Sequence, residues 1–394
     1  MRISFKTKKK YKIAICAGEA SGDNLGAELI KELKALLPNI EFFGVAGQKM
    51  ISQGCVPLYR VEQLSVMGLF EVLKHLPRIL WLRYNLINKI KKIKPDVFIG
   101  IDSPDFNLLI GDSLKKANIP VVQYVSPQVW AWRQSRVKKI KKSVDLILCL
   151  LPFEKIFYDA HGISSFFVGH PIADQIPENI KHNLDRKAFS IDENSKVLAI
   201  LPGSRSNEIH YLAEPFIETA KWLISKFPDL LVLITLSNSK DLDLFLSNNI
   251  NLKNEVMLDR RYRFIIGKSR MAISASNVVL TASGTASLEA ALIKKPMVVA
   301  YIVSDISFWL FNKLGLKKLK FFSLPNLLTQ SSIVPEYVQN DVKADIMGRD
   351  LEGFLNNNNN FEKQKEIFVK LHHELKMGAS KRSAEVVYDL ISED

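Results

Sequence analysis

Leu201-Pro202-Gly203-Ser204-Arg205 follows the short apolar run Val197-Leu198-Ala199-Ile200 and precedes a helical pattern from about Glu208 to Phe227. The apolar run reads as a buried strand, and the glycine-serine pair as the turn that joins it to the helix. Such a turn aims backbone N–H groups outward at a helix N-terminus, a geometry that binds phosphate. Arg205 would add a planar fork of donors suited to a diphosphate. An ordinary turn carrying a surface arginine has the same local sequence, so the neighbouring stretches must decide.

Downstream the same logic returns. Val278-Val279-Leu280-Thr281 runs into Ala282-Ser283-Gly284-Thr285-Ala286-Ser287-Leu288-Glu289. Small residues let a diphosphate approach the backbone, and hydroxyls can cap and donate. Glu289 lies one helical turn beyond Thr285, within reach of a ribose diol; a first-turn glutamate steadied by the helix dipole would look alike. Two phosphate-type loops favour a nucleotide-diphosphate site. Neither is a Walker A loop, and the glycines at 18, 22 and 26 do not spell a dinucleotide fingerprint.

Strand and helix patterns alternate through the first half too. Lys12–Ala17, Phe42–Val45, Asp96–Ile101, Val121–Val125, Asp145–Leu151 and Phe166–Val168 read as strands. Met297–Val303 reads as the last strand of the second half. Alternation of this kind predicts an α/β chain with parallel sheets. With 394 residues, two domains of similar size are expected. Boundaries are expected near 172 and 355, with a polar link from Ile172 to Asn194. The asparagine run Asn356–Asn360 would act as a surface linker ahead of terminal helices.

A hydrophobic content of 47% with 24% charged residues is that of a globular protein. No window holds the ~18 uninterrupted apolar residues a bilayer span requires, and the basic N-terminus lacks a signal core, so a cytosolic protein is expected. Three scattered cysteines show no metal spacing. The net charge of +13 calls for an anionic partner or serves solubility.

In the first half, Glu19 sits in the turn Gly18–Asp23 after the first strand, where a carboxylate could meet a ligand or simply face solvent. Ser21 or Asp23 could cap the following helix. Asp102 closes a strand, where open α/β sheets bind ligands and a general base would be useful. Asp105 reads as structural, placed by the helix dipole. The stretch Ser65–Tyr84, with Val66, Met67, Leu69, Phe70 and Leu73, is more apolar than a surface helix needs. It reads either as a membrane or acyl-chain surface or as a core helix pair broken at Pro77. Trp130, Trp132 and Arg133 open a run with six basic residues in ten, from Arg133 to Lys142. Anionic lipid, nucleic acid or plain solvation would each suit it.

Seven blocks carry a resemblance: Ala17–Asp23, Ile101–Asn107, Tyr124–Arg133, Pro152–Lys155, Leu201–Arg205, Ser283–Glu289 and Ser323–Asn326. Together they resemble lipid-A-disaccharide synthases, in order over nearly the whole chain. Ser103 stands where that family usually has alanine, leaving both neighbouring carboxylates in place. The resemblance implies a GT-B fold: two Rossmann-like domains facing a cleft, with the 356–394 segment returning to the first domain or to a partner subunit as a homodimer. It implies an inverting transfer that joins UDP-2,3-diacylglucosamine to 2,3-diacylglucosamine 1-phosphate through a β-1,6 bond, releasing UDP. Gly203, Ser204, Arg205, Ser283, Gly284, Thr285, Glu289 and Asn326 would hold UDP, with Glu289 on the ribose. Asp102 would be the base, and Glu19, Ser21, Trp132 and Arg133 would face the acceptor. Neither a metal nor a cofactor is implied. The workplace would be the cytosolic face of the inner membrane, with Val66, Met67, Leu69, Phe70 and Leu73 toward lipid.

Two rival readings remain at this level. Another GT-B activity, a UDP-N-acetylglucosamine 2-epimerase or an N-acetylglucosaminyltransferase, would share the nucleotide half but leaves the blocks around Asp102 and Trp130–Trp132 unexplained. A basic nucleic-acid or membrane binder without catalysis leaves the paired phosphate loops unexplained; no nucleic-acid partner is expected.

Overall fold

The computed structural model describes residues 9–64, 69–130, 136–247, 254, 256–304, 320–356 and 360–392, with backbone alone at 69–76, 130 and 360. The chain forms two compact units, Met1–Asp174 with Leu375–Asp394, and Gln175–Glu374.

The first unit is built on a parallel sheet of β1 (Tyr11–Ala17), β2 (Ile40–Ala46), β3 (Cys55–Arg60), β4 (Val97–Ile101), β5 (Val121–Tyr124), β6 (Leu146–Cys149) and β7 (Ser165–Phe167). Their order across the sheet is β3-β2-β1-β4-β5-β6-β7. Strands β1, β4 and β5 are near-continuous apolar runs because helices cover both faces of the sheet. The order reverses between β1 and β4, and the crevice outside their carboxyl ends is where such sheets take ligands.

The second unit repeats the plan with β8 (Val197–Leu201), β9 (Leu231–Leu236), β10 (Tyr262–Ile266), β11 (Val278–Ala282), β12 (Met297–Tyr301) and β13 (Glu336–Val338). Its order is β10-β9-β8-β11-β12-β13, all parallel, with the reversal between β8 and β11. The two strands that opened the sequence reading therefore flank this unit's switch point.

Several expectations change. The helix after β1, Ala20–Leu36, is capped by neither Ser21 nor Asp23. Asp23 is instead buried, and its carboxylate accepts the N–H groups of Gly47, Lys49 and Met50 at 2.8, 2.9 and 3.1 Å. It ties the first helix to the start of the short helix Gln48–Ser52 that follows β2. The apolar stretch does not break at Pro77: one helix runs Leu69–Ile93 through it. Leu82, Leu86 and Ile90 enter the core, whereas Leu80, Trp81 and Tyr84 are 42%, 63% and 66% exposed. Val66 and Met67 lie outside the described residues, as do the side chains of Leu69, Phe70 and Leu73. The second sheet does not end at β12, because β13 adds an edge strand. Its three residues are too few to show an apolar period.

The terminal helices part company, where the sequence led us to expect both with the first domain or with a partner subunit. Asn360–Leu375 belongs to the second unit as far as Glu374. Its Gln364 donates to the Ile333 carbonyl at 2.5 Å, and Lys294 lies 2.5 Å from its His372. The Ala379–Ser392 helix packs on Ala20–Leu36, burying Ala379, Ala384, Val387 and Ile391. Each large apolar side chain buried this way contributes roughly 1.5–3 kcal/mol. Asp174 accepts the N–H groups of Gly378 and Ala379 at 2.8 and 2.6 Å, fastening that helix at its start. Among the described residues no helix is long and apolar enough to cross a membrane.

Candidate functional site

In the first unit, Glu19 and Ser21 leave the carboxyl end of β1 and Asp102 leaves that of β4, its neighbour across the switch point. The Ser21 hydroxyl donates to Glu19 Oε1 at 2.7 Å, and both residues act on the proton affinity of the Asp102 carboxyl. Burial pushes the Asp102 carboxyl above the ordinary aspartate range, and the Glu19 charge pushes it further. The Ser103 N–H and the Ser21 hydroxyl oppose that rise. A half-buried carboxyl whose hold on a proton is strengthened in this way is a better proton acceptor than an ordinary aspartate.

The backbone beneath the pair is unusual. Asp102 has φ +52° and Ser103 φ +39°, and on the next strand end Val125 has φ +74°. Non-glycine residues avoid this region, and a β-branched one most of all. The tight turn brings Ser103 against Gly18, where any Cβ would overlap the Ser103 hydroxyl. Asp105 pairs with Arg136. Trp132 and Arg133 lie outside the described residues. Beyond them the helix Val137–Ser143 exposes Lys138, Lys139, Lys141 and Lys142. His170 accepts the Ile172 N–H on Nδ1 at 3.2 Å, and burial lowers it to about 4, so it stays neutral.

The second unit sets Gly203-Ser204-Arg205 after β8 and Ser283-Gly284-Thr285 after β11, on neighbouring strands. Gly203 at φ +110° and Gly284 at φ +139° take backbone that a side chain would strain. The first loop is not open as its sequence suggested. Glu208, three residues into the helix, turns back and accepts the N–H groups of Ser204 and Arg205 at 3.1 and 3.3 Å. Its other oxygen accepts from the Arg205 guanidinium at 3.2 Å. An intramolecular carboxylate thus occupies donors that a phosphate would use. The spacing Arg205-x-x-Glu208 is the signal that could have shown it. Arg205 itself stays 83% exposed.

Glu289 faces Arg270 at 2.7 Å, and Arg270 also donates to Gln175 at 3.0 Å. Nothing in the local sequence marks Arg270. The Ser283 hydroxyl donates to the Phe322 carbonyl at 2.7 Å. Phe322 stacks on Tyr301, the last residue of β12, at 6.4 Å between centroids. Burial raises the Tyr301 phenol, and the Glu208 carboxylate adds to that.

Asn326 requires a correction. It was expected beside the diphosphate, but it is fully buried and its carboxamide is engaged on every side. It donates to the Val334 carbonyl and the Glu336 carboxylate at 2.9 and 2.7 Å and accepts the N–H groups of Ile333 and Val334 at 2.8 and 2.9 Å. Glu336 also accepts from the N–H groups of Phe322 and Ser323 at 2.9 and 2.8 Å. Asn326 thus fixes the segment that carries Phe322 and, through it, Ser283.

Two parallel Rossmann-like units, each with loops gathered at its switch point, are the plan of the GT-B fold. Solved structures agree: a Neisseria meningitidis UDP-GlcNAc 2-epimerase bound to UDP-GlcNAc matches with TM-score 0.65 at 14% identity, over 96% of this chain and all of that one. A Staphylococcus aureus MnaA–UDP structure matches with TM-score 0.66 at 15% identity, over 96% and 97%. At those identities the likeness is one of fold. The profile described as Lipid-A-disaccharide synthetase covers residues 13–389. The lipid-A-disaccharide synthase of Haemophilus ducreyi is 44% identical over 96% of this chain and 97% of its own. That of Pseudoalteromonas translucida is 43% identical over 98% and 99%. The chain belongs to the lipid-A-disaccharide synthase family and is a glycosyltransferase of lipid A disaccharide formation.

Proposed function

We propose that the enzyme joins UDP-2,3-diacylglucosamine to 2,3-diacylglucosamine 1-phosphate through a β-1,6 bond, with inversion and release of UDP. The observation that carries the reading is the placement of Asp102 and Glu19 at the ends of the neighbouring strands β4 and β1, at the first switch point. As the acceptor 6-hydroxyl attacks the anomeric carbon, its proton passes to Asp102 and the bond to the diphosphate breaks. A base whose pKa lies nearer neutrality serves this step better than an ordinary aspartate. Glu19 and Ser21 orient that base and face the acceptor, as would Trp132 and Arg133. Gly203, Ser204, Arg205, Ser283, Gly284 and Thr285 hold the diphosphate, and Glu289, steadied by Arg270, takes the ribose. Arg205, free to swing at its exposed position, and the loop N–H groups neutralise the leaving group. Occupying those N–H groups requires Glu208 to turn aside.

The acyl chains of both substrates draw the enzyme to the cytosolic face of the inner membrane. Leu80, Trp81 and Tyr84, exposed on one helix with Arg78 beside them, continue the apolar stretch that begins at Val66. A homodimer, formed through the terminal helix, belongs to the same reading.

UDP release and disaccharide formation from the two acylated sugars, with wild type and Asp102→Asn side by side, test it. Product from wild type with a loss of about 10²–10⁴-fold in the variant is expected. Equal rates would remove Asp102 as base. UDP binding by folded wild type without disaccharide would overturn the substrate assignment.

A further inference from the structure

We propose that Asn107 and Gln123 are positioning residues for the transfer, their carboxamides holding Asp102 in its left-handed backbone so that its carboxylate stays beside Glu19 and Ser21. The inference rests on the reading of Asp102 as base. Both side chains are buried at 1% exposure. Asn107 Nδ2 donates to the Asp102 carbonyl at 2.9 Å and to that of Ile101 at 3.2 Å. Gln123 Nε2 donates to the same Asp102 carbonyl at 3.0 Å, and lies 3.3 Å from that of Val125. The Asp102 N–H donates to the Tyr124 carbonyl at 2.9 Å. Every polar group of this backbone unit is thereby fixed. The amides bond to the carbonyl and not to the carboxylate, whose proton affinity is set by burial, by Glu19 and Ser21, and by the Ser103 N–H.

Gly100 makes room for the arrangement. A Cβ there would stand 2.7 Å from Asn107 Cβ and 3.1 Å from Gln123 Oε1. Two consecutive non-glycine residues at positive φ relax toward ordinary backbone unless their surroundings over-determine them. Here two converging donors on one carbonyl do so, and Gln123 reaches across to the strained Val125. If the turn relaxed, the carboxylate would rotate away from Glu19, whose charge helps to raise it.

The test is steady-state kinetics over pH with the full chain and both acylated substrates. Variants are Asn107→Ser, Gln123→Met and Gly100→Ala, which crowds both amides while deleting neither. Folding is checked by thermal melting, and any folded member of the three suffices. Expected is a drop in kcat of roughly 30- to 100-fold, KM within about threefold, and an acid limb displaced to lower pH. Adding Ser103→Gly, which takes positive φ without strain, should return about tenfold in kcat to Gln123→Met. Folded variants that keep wild-type kcat and pH profile overturn the proposal, as does a loss without displacement of the limb or rescue by glycine. Asp102→Asn run alongside separates the two failures. If it abolishes turnover while the amide variants stay active, the positioning role falls and the base stands. If it retains turnover, the base reading falls and takes the proposal with it.

Discussion

At the scale of the residue, Asp102, as the base proposed above, would set activity against stability. Its folded carboxyl holds a proton more tightly than the unfolded one. Between the ordinary aspartate value, about 3.9, and the raised one, the native state binds the extra proton. Stability therefore falls as pH climbs through that interval, and above it the fold carries the whole cost of a buried carboxylate. Asp102→Asn removes the cost. The variant should melt higher than wild type at pH 8, with the gap closing as pH falls toward 4, while turnover is lost. A variant that melts lower at pH 8 would show that the ionised carboxylate is stabilised by the fold. His170 contributes the opposite slope. Lowered by burial, it must stay neutral, so its share of stability is complete above about 6.5 and declines as pH falls toward 4.

Among elements, the segment from Phe322 to Val338 depends on one side chain. Asn326→Ala would strip partners from the Ile333 and Val334 N–H groups and from Glu336, costing about 2–4 kcal/mol. Because Phe322 is tied to Ser283, UDP affinity should fall with stability. Urea unfolding and UDP titration on the same variant check this; lost affinity at unchanged stability would make Asn326 a direct ligand. That element also marks where reading stopped short. Apolar runs such as Val197–Leu201 and Val278–Ala282 were legible because burial on both faces leaves no charged residue in them. The edge strand β13 was not, being three residues held by a neighbour and by Asn326. Asp102 and the glycine loops stood out because they follow strand ends, the side on which sheets of this kind take ligands. Arg270, Gln123 and Glu208 did not, since their roles arise from partners that folding supplies. Pro77 misled because a helix can absorb a proline when one flank is packed, as Leu82 and Leu86 are.

Over the whole molecule, charge and apolar exposure bear on the membrane contact proposed above. A net charge of +13, the lysines of Val137–Ser143 and the exposed Trp81 and Tyr84 suit an anionic bilayer. Trp81→Ser with Tyr84→Ser should weaken sedimentation with vesicles containing acidic phospholipid several-fold, while turnover of detergent-dispersed substrates is kept. Equal sedimentation would place the contact elsewhere. The first unit is also interrupted in sequence: its last helix, Ala379–Ser392, is separated from the rest by the 200 residues of Gln175–Glu374. Domains ordinarily mature in the order in which the ribosome delivers them. Here the order is inverted. The half made first waits for the stretch made last, and the second half can finish in between. While it waits, the apolar side of Ala20–Leu36 that will meet Val387 and Ile391 stands open on the nascent chain. A chaperone gripping growing polypeptides would find its foothold there, and lose it only when the final helix docks.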